Sequence, residues 1–236
     1  MMSQDDILEQ MKEIKELALN LGLNSSNPPE PSDVNVYGIL IKVRKLFRDF
    51  LLLNGIAGET LEQILRKFND SGRRSPPWQA GSETGHRRPQ DGADGNRQNR
   101  WLFPPTHDFY ATKPMSCLVE MRFVLQTLCM LNAPELPADI LKDSFIGILG
   151  HDLTPGKFLD PLTKESPDFN EFVRDRRYIE SGHVVPHAKS GKHNYKNATL
   201  MLRDSNRQQA DYTIDECIRN MVLVLSNHGY NVEKQP

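Results

Sequence analysis

From Ser71 to about Pro105 the chain is rich in Gly, Pro, Gln and Asn. A stretch of that composition cannot bury enough apolar surface to fold by itself. Any core must therefore come from the blocks on either side, which sets the limits 1–70, 71–105, 106–156 and 157–236. The stretch is also locally basic: Arg73, Arg74, Arg87, Arg88, Arg97 and Arg100 stand against Glu83, Asp91 and Asp94. As a flexible basic linker it has two readings, an arm that orders along DNA or a solvated tether. In the first, Trp78 or Trp101 is available to stack on a base or cover an apolar patch.

Both blocks carry apolar stripes at helical spacing. Ile7, Leu8, Met11, Ile14, Leu17 and Ala18 form one, and Val36, Leu40, Val43, Phe47 and Leu51 a second, with Ser32-Asp33 placed to cap it. A third helix is expected over 59–68. Past the polar stretch, residues 115–131 and 137–149 read as two more, the latter stopped by Gly150. His151-Asp152 then falls in a turn. Thr213-Ile214-Asp215-Glu216 has the form of a capping box, and it opens a last helix through Ile218, Met221, Val222 and Leu225 that is expected to pack the C-terminal unit onto the rest.

The stretch 178–211 behaves differently. Tyr178 to Val185 reads as a short strand ended by Pro186, which cannot donate to a ladder. Residues 190–196 are polar and loop-like, Asn197 opens a second apolar run of strand length, and Asp204 or Ser205 can cap a short helix with Asn206 in its first turn. The order is strand, loop, strand, helix. Such a unit can bring a residue at the end of its first strand close to the start of its helix, so His183 and Asn206 are placed to face one phosphate. An imidazole with an ordinary pKa of about 6.5 is mostly neutral near pH 7 and able to accept a proton from water. An amide oxygen suits a hard cation such as Mg²⁺ (or Mn²⁺), which keeps most of its waters. Each residue also has a plainer reading: His183 as a strand-end side chain, Asn197 as a turn former, Asn206 as a helix-start residue.

In this arrangement the chain resembles the HNH endonucleases of the ββα-metal fold, over roughly residues 157–212. Asn197 lies 14 residues after His183 (197 − 183) and Asn206 lies 23 after it (206 − 183), a family-like spacing. His183-Val184-Val185-Pro186, Asn197 to Leu200, Ser205-Asn206-Arg207 and the upstream 157–163 segment are similar to the family's motif. The resemblance implies an α+β protein, a mostly helical body with a C-terminal ββα-metal (HNH) finger. It implies His183 as the base that activates water, Asn206 as a metal ligand, and Asn197 as the residue that braces the hairpin and orients the histidine. It implies cleavage of double-stranded DNA to 5′-phosphate and 3′-hydroxyl ends. One position departs from the pattern: Gly182 stands where many members carry an acidic metal ligand. Glu180-Ser181-Gly182-His183 is instead similar to the Asp-Arg-Gly-His signature of related non-specific nucleases, so Glu180 or Asp204 is expected to assist Asn206.

Lys189, Lys192, Lys196, His193, Arg203 and Arg207 are available to contact DNA phosphates, with solvated loop residues as the alternative. His187, like His193, reads as a phosphate contact or a loop residue rather than a metal ligand. The formal net charge is −2, so affinity for nucleic acid has to come from local basic clusters.

No run reaches the roughly 18 apolar residues of a membrane helix, and the acidic, polar N-terminus is unlike a signal peptide. Cys117, Cys129 and Cys217 are odd in number and lie in apolar patterns, as core thiols in the cytoplasm would. No phosphate loop or dinucleotide fingerprint is present, so no nucleotide cofactor is expected. A restriction or host-defence enzyme is the expectation, since something beyond the finger has to choose the target. A homodimer would let two fingers cut both strands. A non-specific or structure-selective nuclease, and an inactive HNH-fold DNA-binding protein, are the alternatives.

Overall fold

The computed structural model describes residues 3–25, 33–77 and 97–233, with side chains in the second stretch from 35 onward. The Ser32-Asp33 cap and Trp78, Arg87, Arg88, Glu83, Asp91 and Asp94 lie outside the described side chains. Among the described residues the order is α1 (Gln4–Asn20), α2 (Asp33–Leu53), α3 (Gly58–Gly72), α4 (Lys113–Leu128), α5 (Ile146–Leu149), α6 (Phe169–Arg174), β1 (Ile179–His183), β2 (Ala198–Leu202), α7 (Arg203–Gln209) and α8 (Ile214–Asn227). Short 3₁₀ turns occupy Arg100–Leu102, Asp139–Leu141 and His187–Lys189. The protein is thus α+β, mostly helical, with one antiparallel two-stranded sheet that pairs Ile179 with Leu202 and His183 with Ala198.

Helix α4 is the centre of the body. Thr112 caps it, Pro114 sits in its first turn, and from Ser116 to Leu128 every residue but Arg122 is buried. A helix apolar on all sides has to be enclosed, and α2, α3, α5 and β2 surround this one. Its buried Glu120 takes ion pairs from Arg44 of α2 and from Arg73 just past α3. A carboxylate removed from water is tolerable when paired and hydrogen-bonded on more than one side. Gly72 ends α3 against this point: a Cβ there would lie 2.7 Å from the Glu120 Cα. Only glycine allows the two helices so close.

Apolar residues from Ile7 to Leu200 form one core, drawn from both sides of the polar stretch. The ends of that stretch are joined: Ser75 N donates to Gln98 O at 2.8 Å and Arg100 N to Arg73 O at 2.9 Å. The chain therefore leaves and re-enters the same body.

The hairpin is fastened to this body by side chains. The outer edge of β2 has two unpaired backbone donors, at Leu200 and Leu202. Gln126 Oε1 of α4 accepts from Leu200 N at 3.0 Å, and Asp160 Oδ2 accepts from Leu202 N at 2.8 Å. Lys67 of α3 donates to the carbonyls of Arg176 and Ile179 beside β1, and burial lowers its pKa to about 8. An edge closed in this way offers no template for another strand.

Several expected boundaries move. Only the Asp139–Leu141 turn and the four-residue α5 are helical within 137–149. Helix α6, opened by Asp168 accepting from Asn170 N at 2.7 Å, has no counterpart in the sequence reading. Helix α7 follows β2 directly, so neither Asp204 nor Ser205 caps it. Helix α8 does begin with the Thr213–Glu216 capping box. It rests on α7, however, and leaves Ile218, Leu223, Val224 and Leu225 exposed instead of packing the finger onto the body.

Candidate active site

The loop between β1 and β2 is held by one asparagine. Asn197, buried just before β2, accepts from Val185 N at 2.7 Å through Oδ1, while Nδ2 donates to Val185 O and Lys192 O, each at 2.9 Å. Asparagine presents an acceptor and two donors in one plane, and here all three bond the two sides of the loop. The amide therefore fixes the positions of His183 and His193 relative to each other.

His183 lies at the end of β1 with its ring against two others. Its Nε2 is 3.1 Å from His193 Nδ1, and His193 Nε2 is 2.7 Å from Gly72 O. A carbonyl only accepts, so the bond to Gly72 O requires a proton on His193 Nε2. In the neutral ring Nδ1 is then an acceptor, and it takes the proton of His183 Nε2. The remaining nitrogen, His183 Nδ1, carries a lone pair and has no hydrogen-bond partner among the described residues. The His187 ring is packed against that of His183, their centres 4.4 Å apart.

Burial lowers the His183 pKa to about 3, with help from the nearby His187 and Arg100, and holds His193 well below the ordinary value. Arg100 is itself buried, and loss of water lowers its pKa to about 9. Among the described residues its guanidinium reaches only the carbonyls of Phe109 and Ser71, both at 3.4 Å, and its buried Nε has no partner. A cation in this state raises the electrostatic potential of the pocket around it.

The other face of β1 meets α7. Asn206 Nδ2 donates to Glu180 Oε2 at 2.8 Å, which turns Asn206 Oδ1 toward Gly182, where a Cβ would lie 2.7 Å from it. Among the described residues Oδ1 accepts no hydrogen bond. One turn along, Gln209 Nε2 donates to His183 O at 2.9 Å and Val184 O at 3.0 Å, fixing the end of β1. Gln209 is absent from the sequence reading. The available signal is its i+3 spacing from Asn206, which puts both on the helix face toward β1.

Successive strand residues point to opposite faces. Accordingly the Gly182 position faces Asn206, and the His183 ring faces His193 and the body. The two groups therefore lie on opposite faces at one end of β1 and do not face each other as expected, so a shared phosphate would have to bridge that strand end; among the described residues no hydrogen bond joins them. Among the described residues no group of three His, Cys, Asp or Glu is arranged around a metal. Asn206 and the Glu180 carboxylate sit side by side, and together they offer two oxygen donors, Asn206 Oδ1 and a Glu180 oxygen. Two oxygens are consistent with Mg²⁺, which retains much of its hydration shell.

The basic residues divide. Lys192 is exposed and has no carboxylate partner among the described residues, Arg207 is exposed with Nη2 3.8 Å from Glu180 Oε1, and Arg203 lies between Asp175 and Asp204. Lys189 pairs with Glu216 at 3.1 Å. His193 is buried with both ring nitrogens engaged, so it holds His183 in place and is not exposed for a phosphate.

No family model matches the chain, and no curated protein matches it. A solved structure described as a type II restriction endonuclease is similar at 19% identity and a TM-score of 0.43, over 52% of this chain and 55% of that one. The chain spans about half the length of that structure.

Proposed function

We propose that this chain is a DNA endonuclease that hydrolyses phosphodiester bonds at the β1–β2–α7 unit, with a divalent cation held beside Asn206. The observation that carries the reading is the tautomer chain from Gly72 through His193 to His183. It leaves one imidazole nitrogen unprotonated and unengaged at the strand end, which is what a base acting on water requires.

A pKa of about 3 keeps that nitrogen free of a proton at neutral pH, but it also makes His183 a weak base. The charge of the substrate supplies the correction. A phosphate brought next to His183 favours the imidazolium and raises the pKa toward the working range. The base is thus readied by the anion it acts on. His183 Nδ1 takes the proton from the attacking water, His193 holds the ring through Nε2, and the buried Arg100 adds positive potential where negative charge develops. Asn206 Oδ1 and Glu180 would hold Mg²⁺ or Mn²⁺, which when bound stabilises charge on the phosphate and the leaving oxygen. Lys192 and Arg207 contact flanking phosphates.

Plasmid DNA incubated with the full chain is expected to be cut with Mg²⁺ or Mn²⁺ and left intact in EDTA. His183→Ala should lower the rate at least about 10²-fold, the contribution of a positioned base, while DNA affinity in EDTA stays within about twofold. A variant that cuts at the parental rate removes His183 from the role.

A restriction or host-defence role, with the helical body choosing the target, is the biological setting we propose. Discrete fragments from a complex genome support it. A smear favours a non-specific enzyme.

A further inference from the structure

A cleft of about 1030 Å³ lies between the segment that enters α4 and the β1–β2 loop. One wall presents Trp101, Tyr110 and Lys113, and the other His187, Lys192 and His193. Two features distinguish it from an ordinary surface groove. Its lining includes His187 and His193, the rings in contact with His183, so the cleft adjoins the candidate active site. It also combines half-buried aromatic rings with cationic groups. Lys192 is fixed at its backbone by Asn197, yet its ammonium group has no carboxylate partner among the described residues.

We infer that this cleft binds an unpaired nucleotide of the substrate strand, its base against Trp101 and Tyr110 and its phosphate toward Lys192, next to the phosphate presented to His183. The chemistry of the walls selects the ligand. Aromatic faces beside cationic side chains match a base and its phosphate, and they accept any base because each has a π face. The volume lies at the upper end of what small-molecule pockets provide and exceeds what one nucleotide needs, so a neighbouring sugar and phosphate fit as well. A base stacked inside a duplex cannot reach Trp101. The ligand is therefore a frayed end, a single strand or an extrahelical base. The inference rests on the nuclease reading for its purpose, but binding is measured independently of cleavage.

The test uses the full chain in EDTA, where nothing is cut. Fluorescence anisotropy compares a labelled single-stranded oligonucleotide, a duplex with one unpaired nucleotide, and a fully paired duplex. Trp101→Ala is expected to weaken the first two by roughly tenfold, the scale of one lost base–aromatic stack, and the paired duplex by less than twofold. Lys192→Ala, at an exposed position that leaves folding unaffected, should lower the salt slope of single-strand binding by about 0.7, the value for one released phosphate contact. Equal losses on all three ligands, or none in either variant, overturn the inference. Cleavage that persists while Trp101→Ala binds all three normally rejects the cleft and leaves the nuclease reading intact. Selective loss in a protein that never cuts DNA rejects the nuclease and keeps the cleft.

Discussion

The two faces of β1 are built to opposite rules. On the loop face, Asn197 uses its whole carboxamide and His193 both ring nitrogens, in contacts of 2.7–3.1 Å. On the α7 face, Asn206 spends its amino group on Glu180, and its Oδ1, beside a glycine, has no donor among the described residues. Two asparagines nine residues apart (206 − 197) therefore have different work. Saturated bonding marks a brace, and an amide oxygen left over marks a place for a ligand.

The largest test of this contrast is Asn197→Ala. Three bonds disappear, and Val185 N, Val185 O and Lys192 O lose their partner. At about 1 kcal/mol for each net bond, we expect a loss of about 3 kcal/mol, seen as a lower urea midpoint with an unchanged slope. A loss below about 1 kcal/mol would mean that the loop holds itself and that Asn197 is no brace.

Acid separates the faces next. The folded pKa of His183, about 3, is depressed below the unfolded value of about 6.5. Between those two values the unfolded chain binds more protons than the folded one. Stability supplied by the neutral ring is therefore complete above pH 6.5 and is lost as pH falls toward 3. His193, shifted the same way by burial, adds to the slope. Urea midpoints should fall between pH 6.5 and 4, and His193→Gln should flatten that decline. NMR should show the His183 ring neutral at pH 5. A ring titrating near 6.5 would mean that the loop face is open to water.

What was legible in the sequence follows the same division. Features set by local spacing could be read: the stripes of α1 and α2, the capping box of α8, and the strand, loop, strand, helix order around His183. The trio of rings could not. His193 stands in a polar run of lysines and asparagines that reads as a solvated loop. It is buried because the Gly72 carbonyl, 121 residues earlier, comes to its Nε2, and that approach depends on a glycine permitting close contact between α3 and α4. The polar stretch 71–105 hid this link, since its composition announces a linker while its ends are tied by backbone bonds. The outward apolar face of α8 was equally hidden. Periodicity shows that a face is apolar, not what covers it.

The smallest expected change in stability belongs to Asn206→Ala, and it carries the most information about function. Only the bond to Glu180 disappears, between groups that both retain access to water, so the urea midpoint should shift by less than about 1 kcal/mol. Cleavage should fall by at least tenfold at low Mg²⁺ and recover in part at high Mg²⁺, because Glu180 keeps one oxygen donor in place when the other is gone. Asn206→Asp sharpens the comparison by restoring the oxygen with a charge, and it should lower the Mg²⁺ needed for half-maximal rate. A stable Asn206→Ala protein with an unchanged Mg²⁺ requirement would leave the α7 face without a ligand role, and the contrast between the two asparagines would reduce to packing.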